Sequence, residues 1–193
     1  MKATLRVLLI FAAVLSGRAD DSLAKNDWSE AVNGLRARLV FGDGKDFNGT
    51  RIAEVYLELH NGTDVGDPME FDFDADKTLH FDLRSADGKP GPKPAGMEVD
   101  GFVFGPFHLT IPRDGTLRFP VTWSGYGIPR GAGTALGFMH GFWIIPADDP
   151  SDYFLSATFV VPESIQERSR PRCWHGTIKI PAVKVPIKKD RRA

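Results

Sequence analysis

Cysteine is almost missing: Cys173 stands alone, so no intramolecular disulfide braces the chain and no multi-cysteine zinc site is available to it. A dominant charge is missing too. The 24 lysines and arginines nearly balance 25 aspartates and glutamates, for a formal net charge of −1. That excludes a general electrostatic hold on nucleic acid or on anionic lipid. No apolar run approaches the about 20 residues a membrane-crossing helix needs. Helical periodicity is scarce. The 20 glycines and 14 prolines interrupt it throughout, leaving two short helix candidates, residues 22–32 and 163–168.

What is present begins with an address. Lys2 and Arg6 precede a short apolar run, residues 7–15, and Gly17-Arg18-Ala19 puts small residues at the positions a signal peptidase reads. This three-part layout predicts a signal peptide over residues 1–19 and a periplasmic or extracellular location. It predicts no stable membrane insertion after cleavage. No cysteine ends the apolar run, so lipoprotein processing is not expected. Loss of Lys2, Arg6 and Arg18 takes the formal charge from −1 to about −4. The remaining length suits one domain, residues 20–187, burying roughly 70% of its unfolded surface. A basic tail, residues 188–193, reads as a solvated end. Cys173, flanked by Trp174 and Ile178, reads as a buried hydrophobe, with a free thiol or an intermolecular bridge as alternatives.

The apolar pattern of that domain has period two. Leu35, Ala37, Leu39 and Phe41 share one face, with Arg36 and Arg38 on the other. Val55, Leu57 and Leu59 alternate with Glu54, Tyr56, Glu58 and His60. Leu79, Phe81 and Leu83 alternate with His80, Asp82 and Arg84. Phe107, Leu109 and Ile111 repeat the pattern, as do Leu117, Phe119, Val121 and Trp123, and then residues 153–161 and 177–185. One dry face and one wet face is the mark of antiparallel sheet. Turn residues punctuate the runs: Asn61-Gly62-Thr63-Asp64, Asp87-Gly88-Lys89-Pro90, and Pro112-Arg113-Asp114-Gly115 as a tight hairpin turn. The fold class predicted is all-β, an antiparallel two-sheet Ig-like sandwich of about seven to nine strands with long loops. Two long loops are expected, residues 89–96 stiffened by proline and the glycine-rich residues 125–141.

Three stretches resemble a known family. Trp28-Ser29-Glu30-Ala31-Val32-Asn33-Gly34-Leu35-Arg36-Ala37-Arg38-Leu39 is similar to a W-x-E-A-V-x-G-[LV]-x-x-R-L opening. Residues 55–64, VYLELHNGTD, resemble its strand and turn, hydrophobic-x-L-x-L-x-N-x-[ST]-D. Met97-Glu98-Val99-Asp100-Gly101 resembles its L-E-V-D-G entry to the middle strands. The family is that of Ig-like β-sandwich domains of unknown function in secreted and sensor-like proteins of large-genome aquatic bacteria. The resemblance spans residues 28–123 and stops beyond Tyr126. It implies a β-sandwich outside the cytoplasm, and it brings no catalytic residues.

The residues themselves supply no catalytic set. The G-x-S-x-G elbow is absent, and Ser124 follows a strand without the preceding glycine. Cys173 and His175 are too close in sequence for the usual thiol–imidazole geometry. His60, His80, His108, His140 and His175 form no H-x-x-x-H pair. His60 and His80 would bind Zn²⁺ or Cu²⁺ only across neighbouring strands. Gly131-Ala132-Gly133 lacks the lysine and the spacing of a phosphate loop. Asn48-Gly49-Thr50 and Asn61-Gly62-Thr63 read as turns. Asp72-x-Asp74-x-Asp76 copies the opening of a calcium loop, but Lys77 replaces its glycine and Leu83 its bidentate glutamate. These three aspartates are the one Ca²⁺ candidate. Simple alternation, with Phe71 and Phe73 inward and Asp72 and Asp74 towards water, is the preferred explanation. No metal centre and no cofactor is assigned.

The leading expectation is a non-catalytic Ig-like module with a protein-interaction or structural role. A carbohydrate-binding module is the alternative, with Trp123, Tyr126, Trp143 and Trp174 as stacking candidates beside Asp148, Asp149 and Asp152. Against it, the strand pattern sends Trp123 and Trp143 to the core. A hydrolase of unrecognised type is the third. The partner is thus a protein or a glycan, and not a nucleic acid.

Overall fold

The computed structural model describes residues 27–62, 68–95, 107–122, 128–131, 133–138, 141–163 and 173–187. The leader, the tail, Trp123, Tyr126 and the Met97–Gly101 motif lie outside the described residues. Within them the protein is all-β: twelve strands and a single four-residue helical turn. The strands are β1 (Leu35–Phe41), β2 (Lys45–Phe47), β3 (Thr50–Ile52), β4 (Val55–Asn61), β5 (Met69–Phe73) and β6 (Leu79–Ser85). Then come β7 (Phe107–Ile111), β8 (Thr116–Pro120), β9 (Thr134–Phe138), β10 (Gly141–Ile145), β11 (Tyr153–Val161) and β12 (Gly176–Lys184). The helical turn α1 is Ala75–Thr78.

They form four sheets ordered β1-β4-β8, β10-β9-β3-β2, β12-β11-β6 and β5-β7. Every pairing is antiparallel except β3 with β9. The period-two reading locates the long strands. In β11, Tyr153, Leu155, Ala157, Phe159 and Val161 are all buried while the residues between them are half-exposed. Pro181 sits in β12 where the register to β11 shifts between Leu155 and Ala157. A proline cannot donate to a ladder, and a bulge is where a strand tolerates one.

The sheets meet in one hydrophobic cluster that draws on strands of all four. Rings mark the junctions. Phe73 of β5 packs edge-on against Phe119 of β8 at 4.9 Å, and Phe71 packs against Phe159 of β11 at 5.8 Å. Phe81 of β6 meets Phe138 of β9 at 3.9 Å. Phe71 and Phe159 are fully buried, and each such side chain contributes about 1.5–3 kcal/mol; Phe81 and Phe119 are half-buried. Asn61, fully buried at the end of β4, donates its amide to the Ile111 carbonyl at 3.1 Å. A buried carbonyl without that donor would cost about 1–3 kcal/mol.

Several expectations need correction. Residues 27–32 are not helical; they run up to β1, and Val32 forms an isolated bridge to Leu35. The glycine-rich stretch expected to be loop contains β9, buried at all five positions. Pro112 to Gly115 does close a turn, with Gly115 N–H bonded to the Pro112 carbonyl at 2.9 Å. It is no hairpin, because β7 joins β5 and β8 joins β4. The turn is a corner between two sheets. His60 and His80 also fall in different sheets, on β4 and β6, so they are not cross-strand neighbours.

At the turn after β6, Asp87 accepts bonds from Lys89 and Ser85, and these hold its carboxyl down to about 2. A folded value below the unfolded one stabilises above pH about 4, and the contribution fades as pH falls towards 2. NMR titration should place the Asp87 midpoint near 2 and, in Lys89→Met, return it towards the ordinary carboxylate value. An unshifted midpoint in the wild-type protein would remove the bonding pattern assigned to this turn.

Candidate functional site

The sequence-predicted ligand residues do not assemble. Trp174 is buried at 4% exposure. Its indole N–H donates to the Val32 carbonyl at 2.8 Å, and its ring stacks on Phe159. A sugar platform needs an open face, and Trp174 has none to offer. Trp143 is half-buried on β10, edge-on to Phe138 at 5.3 Å and packed against the main core. Two of the neighbouring carboxylates have partners within the chain. Asp149 accepts from the Tyr153 hydroxyl, and Asp152 pairs with Lys184 at 2.7 Å.

The calcium trio is split in the same way. Asp72 is exposed on β5 and bonded to His108 Nδ1 at 3.0 Å. Asp74 pairs with Lys77 at 2.8 Å, and its carbonyl receives the backbone N–H of Thr78. Asp76 falls in α1, and its side chain lies outside the described residues. Phe71 and Phe73 do point inward. His108 also lies 3.7 Å from Glu70, so both edges of its ring face carboxylates. Cys173 is half-buried, and its backbone forms an isolated parallel β-bridge with Glu70.

A different constellation emerges on the outer face of β1-β4-β8. Strand alternation sends Arg36, Arg38 and Val40 of β1 to that face. The registers set them beside His60, Glu58 and Tyr56 of β4, and those beside Thr116, Arg118 and Pro120 of β8. In the central row Glu58 lies between two arginines. Its Oε2 accepts from Arg38 Nε at 2.7 Å, and its Oε1 lies 3.4 Å from Arg118 Nη1. The Glu58 side chain is only 8% exposed, against 24% for Arg38 and 47% for Arg118.

Aromatic rings close the row at both ends. The Arg38 guanidinium lies over the Trp28 ring at 4.5 Å, and that of Arg118 over Tyr56 at 4.3 Å. Trp28 also leans on His60, whose ring bonds Thr116 across the sheet at 3.2 Å. Each cation–π contact adds about 0.5–1 kcal/mol at an exposed site, and each holds a guanidinium plane in place. Beyond Tyr56 the face dips into a shallow cleft of about 250 Å³ lined by Lys45, Ile52, Glu54, Tyr56, Pro120 and Thr122. The Glu54 carboxylate bonds Lys45 at 2.9 Å and holds its ammonium pKa above the ordinary value.

Chemically this face is a set of oriented donors. Both oxygens of Glu58 are taken by arginine, which gives it a positioning role. Part of this was visible in the sequence: Arg36, Arg38, Tyr56, Glu58 and His60 are all outward by alternation. Trp28 was visible only as a motif letter, because it precedes the strand and no periodicity places it over Arg38. In comparisons with known proteins, the chain matches no family model, no curated protein and no solved structure.

Proposed function

We propose that the chain is an exported, non-catalytic binding module with an Ig-like β-sandwich arrangement, and that its outer β1-β4-β8 face docks a partner protein outside the cytoplasm. The observation that carries this reading is the Trp28–Arg38–Glu58–Arg118–Tyr56 row. Tryptophan, tyrosine and arginine are the residues in which interface binding energy concentrates. Here they already hold one another's rotamers, which removes about 0.5–1.5 kcal/mol of ordering cost per side chain. The leader-like first 19 residues support the location.

The test is site-specific photocrosslinking in the producing cell. p-Benzoylphenylalanine at Thr116 or Pro120, both exposed on this face, should give a discrete protein adduct. The same group at Lys179, exposed on β12, should not. Equal adducts at all three positions, or none at any, would sink the reading.

A further inference from the structure

We propose that the occupant of this face is an extended acidic polypeptide segment, whose carboxylates two residues apart seat on Arg36 and Arg38 while a flanking carboxylate reaches Arg118. This rests on the reading of the β1-β4-β8 face as a docking surface and names the chemistry of its partner. Charge is layered here. The carboxylates of Glu58 and Glu54 lie low, at 8% and 27% exposure, and both are paired. Three cations stand above them, Arg118 at 47%, Lys45 at 72% and Arg36 exposed, while Arg38 at 24% lies lower in the row. A partner therefore meets guanidinium and ammonium groups first. Arg36 pairs with His60 through its backbone, but its side chain makes no hydrogen bond or ion pair with any of the described residues.

The spacing selects an extended chain. Arg36 and Arg38 alternate along β1, so their stems rise about 6.5–7 Å apart. That is the repeat of same-side residues in any other extended strand. The row of Arg118 lies two strands away, roughly 9.5 Å across the sheet. A guanidinium fork pairs carboxylates through two parallel bonds, which a hydroxyl-rich sugar does not offer. The rings point the same way. Trp28 and Tyr56 each carry a guanidinium on one face, so they act as supports for the arginines. A glycan would need those faces open.

The experiment uses the whole mature chain, residues 20–193, and fluorescein-labelled peptides followed by anisotropy. The probes are a Glu-Thr alternating peptide and its Gln-Thr counterpart, with polygalacturonate as competitor. The Glu-Thr peptide should bind and the Gln-Thr peptide should not. Arg36→Gln should weaken binding about fivefold, the upper end for one exposed ion pair, and raised salt should weaken it further. Because Arg36 holds no other residue, Arg36→Gln should keep the wild-type urea midpoint. Arg36→Gln with Arg118→Gln should weaken binding more.

Equal binding of both peptides, or an Arg36→Gln protein that binds as wild type does, overturns the proposal. Polygalacturonate bound through the same arginines in place of the peptide overturns it in favour of an acidic glycan. Adducts at positions 116 and 120 with no Glu-Thr binding would reject the acidic partner and leave the docking face standing. Absence of those adducts as well would reject both.

Discussion

Gly133→Ala is expected to destabilise the fold by about 3 kcal/mol or more. Gly133 opens β9 with φ at +99°, a backbone state that side chains other than glycine rarely adopt. A Cβ there would run into the Ile145 carbonyl, and would lie 2.6 Å from the Ala147 nitrogen and 2.9 Å from the Pro146 carbonyl carbon. These are backbone atoms at the end of β10 and cannot swing aside. The shift would propagate, because the Gly133 carbonyl accepts from Arg51 N–H at 2.8 Å, where the parallel pairing of β3 to β9 begins. Gly88→Ala is the control. It shares a positive φ, +82°, but a Cβ there meets nothing within 4 Å. It should cost only about 1 kcal/mol of backbone strain. Urea unfolding of both variants separates the two contributions. Equal midpoints would show that Gly133 matters for its φ alone.

Gly133 also shows where sequence reading stops. β1, β4 and β11 are legible because each has one dry face and one wet face. Leu35 and Ala37 are buried and Arg36 is exposed, so the period is written in the residues themselves. β9 is buried on both faces, and Thr134-Ala135-Leu136-Gly137-Phe138 alternates nothing. A strand of that kind between glycines reads as loop. The β2–β3 hairpin is lost for the opposite reason, since all three residues of β2 are exposed. Its turn did carry a signal: Asn48 and Gly49 both take positive φ, the chemistry of a two-residue hairpin. Sheet membership is less local still. Nothing between Ile111 and Thr116 says that the strands on either side pair with different partners. The outward face follows the same division. Alternation locates its charges, but only the register of β1 on β4 and of β4 on β8 puts Glu58 between two arginines.

Phe159→Ala should cost about 3–5 kcal/mol, the range for removing a fully buried aromatic ring. Phe159 is at 0% exposure in the middle of β11. It stacks on Trp174 at 5.6 Å and lies against Phe73 at 6.2 Å and Phe71 at 5.8 Å. Those partners belong to β5 and to the segment ahead of β12, so the loss loosens several sheets at once. Two readouts should move together. The urea midpoint should fall, and Trp174 emission should shift to the red as its stacking partner disappears. The neighbouring Val160→Ala, on the half-exposed side of β11, should cost about 1 kcal/mol, the ordinary loss for a single substitution. Trp28 and Arg38 lie on the outer face, so Phe159→Ala protein that remains folded should still bind the Glu-Thr peptide. Lost binding with the fold intact would mean that the face depends on the core beneath it. Retained binding would show that the cross-strand arginine row is organised by its own charges and rings.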